Sequence, residues 1–218
     1  MKKFYLLLIN LSLCLFISLG FFSISVSATD INYITQQKSI DLDNVSNKNV
    51  QFYRHSAEEY KDIIKNDNNI PQIQKNRMID EVNSLEKRKD SGGWDYWTIY
   101  DVCKVTSSYK CRPYFYAYAR FAGGTGYPEE IQKVQYANID RNDGGTSKQF
   151  SGTLYYHLEK SDKLHWDLNG DFYNNGTTSV GTNASIGLGQ AASISFSASS
   201  STSSNHYAYC HKYGDVTF

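Results

Sequence analysis

His157 and His165 come nearest to a chemical site in this sequence. A hairpin turning at Lys160-Ser161-Asp162 sets the two imidazoles opposite each other with Asp167 nearby, which is metal-ligand chemistry. Two imidazoles without a fixed third ligand make a weak site, so the pair reads as the solvent side of a hairpin and no metal is expected. His206, Cys210 and His211 gather ligand types again near the C-terminus, on a spacing that matches no metal motif. Asp167-Leu168-Asn169-Gly170-Asp171 begins with the rhythm of a calcium loop. Phe172, however, stands where glycine is needed and Thr178 where the bidentate glutamate belongs, so a turn is expected. No Ser/His/Asp or Cys/His arrangement has a supporting local signature, and no carboxylate pair stands out as a glycosidase dyad. The chain therefore reads as non-enzymatic and without a cofactor.

Cys103 and Cys111 lie symmetrically about Ser107, so a hairpin there places them opposite each other. A Cys103–Cys111 disulfide is the first expectation, with pairing of either residue to Cys210 left open. Tyr114, Tyr116 and Tyr118 share one face of a strand. An exposed row of this kind suits stacking against sugar rings, whereas a strand buried on both faces produces the same letters.

The stretch from residue 172 to residue 211 contains no Asp, Glu, Lys or Arg. Its side chains alternate between a thin apolar parity and a small polar one, the pattern of a two-sided β-ribbon. Such a length must fold back, and a turn centred on Gly189 pairs Val180 with Ala198, Thr182 with Phe196 and Ala184 with Ile194. Arms 179–187 and 191–199 each match a membrane strand of about nine to eleven residues. Val180, Ala184, Ile186, Ile194 and Phe196 are then the lipid-facing candidates. The ordinary alternative is a Ser/Thr-rich outer strand pair of a secreted sandwich.

These residues are positioned by three regions. Residues 1–28 have the basic start, apolar run and small-residue cleavage site of an export signal. Residues 29–93 begin as a polar leader, then show a capping box at Ser56-Ala57-Glu58-Glu59 and a second helix start at Asn69-Ile70-Pro71. This two-helix segment ends in a basic run and glycines, and either packs on the β domain or is a removable pro-segment. Residues 94–218 carry all three tryptophans and the strand-like runs 97–105, 114–121, 131–139 and 154–168. The fold expected is mainly β, an antiparallel sandwich or open barrel of about six to eight strands. With 22 Lys and Arg against 22 Asp and Glu, no general basic field exists for nucleic acid.

The charge-free ribbon resembles the Ser/Thr-rich stems of small β-pore-forming toxins, and the pro-segment layout resembles that of secreted bacteriocins. The resemblance is general and assigns no residue roles. It implies a secreted, toxin- or bacteriocin-like protein whose partner is membrane lipid or a cell-surface component, with assembly into a homo-oligomer. The alternative expectation is an extracellular binding module for cell-wall carbohydrate or a protein ligand, using the aromatic strands.

Overall fold

A computed structural model describes residues 50–88, 93–121 and 127–217. The export signal, the leader before Val50, the proposed processing stretch at 89–92 and the glycine-rich loop 122–126 lie outside the described residues. In chain order the elements are β1 (Gln51–His55), α1 (Ala57–Asn66), α2 (Gln72–Glu86), β2 (Trp94–Tyr100), β3 (Cys103–Lys104), β4 (Lys110–Phe121) and β5 (Pro128–Asp140). They continue with β6 (Asn142–Asp143), β7 (Thr146–Ser147), β8 (Gln149–Lys160), β9 (Lys163–Tyr173), β10 (Thr178–Val180), β11 (Ile186–Gly187), β12 (Ala191–Ala198) and β13 (His206–Thr217). The chain is mainly β, and every pairing is antiparallel.

One sheet has six strands in the order β1-β2-β4-β5-β11, with β3 also on β4; the other has five, β10-β12-β8-β9-β13. Neither closes into a barrel. Strand alternation sends Trp97, Ile99, Phe115 and Val134 from the first sheet and Leu154, Tyr156, Trp166 and Ile194 from the second into one shared core. Tight apposition inside the second sheet depends on missing side chains. A Cβ on either Gly152 or Gly170, which are directly paired, would lie 2.8 Å from the Phe150 ring and closer still to backbone. Phe150 fills that space and packs on Phe172 and Phe196, with centroids 4.8 and 5.5 Å away.

The first sheet is covered on its other face as well. Ser56 caps α1 through the reciprocal bonds with Glu59, and α1 and α2 press Tyr60, Ile64, Met78 and Val82 against Tyr96, Tyr114, Tyr116, Tyr118 and Tyr136. Tyr60 stacks on Tyr96 at 4.8 Å and donates its hydroxyl to Gln135 at 2.8 Å. The helices, the six-stranded sheet and the five-stranded sheet thus form three layers. β1 was not anticipated from sequence: its residues alternate weakly and its pairing partner β2 comes only after both helices.

The β8–β9 hairpin has the predicted register from Leu158 opposite Leu164 to Leu154 opposite Leu168, and continues to Gln149 opposite Tyr173. Its tip differs. Lys160 faces Lys163 across a two-residue turn, and a bulge between Leu158 and Lys160 absorbs the extra residue. Glu159 still reaches Lys163 at 2.8 Å, which offsets the like-charged pair.

The ribbon departs further from expectation. β10 pairs with β12 so that Val180 faces Phe196 and Thr178 faces Ala198, two residues from the predicted register but on the same parity. Past Gly181 the chain leaves that sheet, and Ile186 joins β5 of the other sheet opposite Val134. A turn with Gly189 at φ +73° then returns it to β12. Asn183 is the physical reason. Its side chain is 1% exposed, donates to the Ala137 carbonyl and accepts from the Tyr156 hydroxyl at 3.1 Å, while its own carbonyl accepts from Gln74 at 3.2 Å. A buried amide bonded to both sheets holds the crossing between them in preference to continued strand pairing.

Candidate functional site

The tyrosine row is not a surface platform. Tyr114, Tyr116 and Tyr118 are 3%, 3% and 5% exposed because the two helices lie over them. This corrects the expectation that they could stack against a ligand as an open row. Only the hydroxyl ends of Tyr114 and Tyr116 approach a cleft, where both donate to Asp67 at 2.9 Å.

The ribbon candidates divide between two places. Ile186, Ile194 and Phe196 are buried in the sandwich core, Ile186 from the six-stranded sheet and the other two from the five-stranded sheet. Val180 packs at the core edge and Ala184 is exposed, its carbonyl accepting from Tyr156. They do not form one continuous lipid-facing stripe in this conformation, because the crossing at Asn183 divides the first arm between the two sheets. Among the described residues no helix is long and apolar enough to cross a membrane.

Cys103 stands directly opposite Cys111, yet all three described cysteines are free and buried. The Cys103 sulfur lies 3.9 Å from that of Cys210 on the other sheet. The neighbouring Cys111 thiol and burial raise the Cys103 thiol well above the usual range, burial raises Cys111, and the Cys103 thiol with burial raises Cys210. Thiols held protonated in this way are poor nucleophiles.

The outer face of the five-stranded sheet is different in kind. The helices cover the other sheet and, among the described residues, no element lies over this face; the alternation of β8, β9 and β13 lines it with polar and aromatic side chains. Tyr213, Asp167, Tyr155 and Ser193 form one cross-strand row; His211, Asn169, Thr153 and Ser195 form the next. A third row holds Asp215, His165 and His157. Four of the chain's five histidines border this face, and three have their own carboxylate: His165 with Asp215 at 2.8 Å, His211 with Asp167 at 3.2 Å and His206 with Asp171 at 2.8 Å. Tyr209 donates to Asn169 at 2.9 Å.

This pairing explains why the histidines do not converge on a metal. Each ring is turned toward a different carboxylate, and among the described residues no group of three or more His, Cys, Asp or Glu side chains could hold a metal ion. What the face offers is a plane of ring surfaces interleaved with fixed donors and acceptors. Sequence reasoning found His157 and His165 facing each other, but treated His206 and His211 as a separate group. The outward parity of Tyr209, His211, Tyr213 and Asp215 was readable in the sequence; their place beside β9 was not, because a long excursion separates the two strands. No family model matches this chain, and no match is found among curated proteins or solved structures.

Proposed function

We propose that the chain is an extracellular, non-enzymatic binding module whose open sheet face holds a cell-surface carbohydrate. The observation carrying this reading is the row Tyr213–Asp167–Tyr155, with His211 bonded to Asp167 from one side and the His165–Asp215 pair on the other. Neighbouring strands lie about 4.8 Å apart, so the two tyrosine backbones sit about 10 Å apart with a carboxylate between them. A sugar presents apolar C–H faces edged by hydroxyls. Tyrosine rings accept the first, and Asp, Asn and oriented imidazoles bond the second. The apolar parity points inward, so the face binds by stacking and hydrogen bonds rather than by a greasy patch. A glycan microarray followed by competition with the free sugar tests the reading: specific, sugar-competed binding supports it, and absence of any glycan hit counts against it.

A second reading, membrane action by the ribbon, is favoured by one observation. Tyr173 and His206 are cross-strand partners, so residues 174–205 form an excursion between two strands that pair without it. Asn205 stitches its neck, donating to the carbonyls of Asn175 and Ser200 at 2.8 and 2.7 Å and accepting from the Asn175 amide at 2.9 Å. Releasing the ribbon exposes Ile186, Ile194 and Phe196, at about 1.5–3 kcal/mol each, besides breaking the Asn183 bonds. A bilayer would have to return that cost, which ranks this reading second. Dye release from liposomes lacking any carbohydrate distinguishes it from the first.

A further inference from the structure

We infer that the cleft between α1 and the rim of the six-stranded sheet is a binding site for an organic ammonium cation. It lies on the helical side of the molecule, in a different layer from the open sheet face, and the argument for it does not depend on carbohydrate binding. The cleft has a volume of about 370 Å³, within the range of small-ligand sites, and is lined by Ile63, Asp67, Tyr100, Tyr114, Tyr116 and Asp140.

The charge of Asp67 is the first reason. Its carboxylate accepts from the Asn69 amide N–H at 2.8 Å, the Asn69 side chain at 3.0 Å and the Tyr114 and Tyr116 hydroxyls at 2.9 Å each. All four donors are neutral, and Asp67 has no ion-pair partner among the described residues. Because both phenol hydrogens point at Asp67, the cleft presents acceptor oxygens and a negative charge, and a ligand has to bring donors or positive charge. Burial first, and then the Asp67 charge, hold the Tyr114 and Tyr116 phenols well above their usual range, so they remain donors at any working pH.

The Tyr100 ring is the second reason. It is half-buried and lines the cleft beside the hydroxyl ends of Tyr114 and Tyr116, its centroid 5.6 Å from that of Tyr114. Tyr100 already carries a cation in this structure. The Arg112 guanidinium lies 5.0 Å from its ring centroid and pairs with Asp140. Aromatic faces beside carboxylates attract alkylammonium groups because the ring quadrupole and the anions act together while the methyl groups bury against carbon. Asp140 is already paired with Arg112, so the Asp67 carboxylate is the charge that a ligand has to neutralise, and a free anion is disfavoured beside it.

Calorimetric titration of the full chain with tetramethylammonium and with choline tests the assignment, with 3,3-dimethylbutanol as the uncharged isostere of choline. Saturable binding of the cations is expected, with the isostere at least about tenfold weaker, the size of a desolvated cation–π and charge contribution. Asp67→Asn should weaken choline by a similar factor. Should that variant melt early, Tyr100→Leu keeps the apolar bulk, removes only the ring face and should also lose affinity. Flotation with phosphatidylcholine vesicles, but not phosphatidylglycerol vesicles, and its competition by free choline would identify a lipid headgroup as the source. Binding of free cation without flotation would identify a soluble or polymer-borne ammonium. Equal binding of the isostere, no saturable cation binding, or folded Asp67→Asn and Tyr100→Leu variants with unchanged affinity would overturn it.

Discussion

Trp166 donates its indole N–H to Asp101 at 2.9 Å inside the sandwich, and both side chains are fully buried. Burial pushes the Asp101 carboxyl up to about 6, against the opposing pull of the Trp166 and Val102 N–H bonds. A carboxyl whose folded value lies above its unfolded one is favoured in its protonated form by folding. The native state therefore loses stability as pH rises from about 4 to about 6, and the loss is constant above that. Asp101→Asn keeps an acceptor for Trp166 and removes the buried charge. Its gain over the parent in urea unfolding should be about 2 kcal/mol larger at pH 7.5 than at pH 4.5. An equal difference at both values would mean that burial does not raise the Asp101 carboxyl above its unfolded value.

Asn183 joins the ribbon to both sheets and to α2, so its truncation leaves several buried partners unpaired. Asn183→Ala should cost about 2–4 kcal/mol in denaturant midpoint experiments. Limited proteolysis should cut within 174–205 before any other described segment. A variant with parental stability and an intact ribbon would show that the crossing is held by something else.

Ile194 and Ser195 are adjacent but face opposite ways, one into the core and one outward on the exposed side. Ile194→Lys buries an unpaired ammonium and should unfold the protein, a loss above about 4 kcal/mol, whereas Ser195→Lys should stay within about 0.5 kcal/mol. Thermal melts of the two variants check this. A folded Ile194→Lys protein would mean that β12 is not part of the core.

What was legible in the sequence was local. Strict alternation around Lys160-Ser161-Asp162 fixes which residues of β8 and β9 face each other, because a one-residue slip would turn every apolar side chain outward. The opposition of Cys103 and Cys111 is legible for the same reason. The proposed binding face was not. It requires β13 to lie against β9, and the intervening ribbon gives no sign of its route. The first arm of that ribbon also changes sheets at a single polar residue, Asn183, which bonds to Ala137 and Gln74, 46 and 109 positions away. The tyrosines of β4 could be read as a surface row or a buried one, and only the docking of Tyr60 and Met78 on them decides between the two.

The most direct measurement of the central claim is the affinity of the parent and of Tyr155→Ala/Tyr213→Ala for a carbohydrate selected on the array. Both tyrosines are partly exposed on the outer face, so the double variant should keep the parental melting temperature and lose affinity by about tenfold to a hundredfold, the loss of two stacked rings. A folded double variant that binds the same sugar as tightly as the parent would contradict the assignment of the open sheet face as the binding surface.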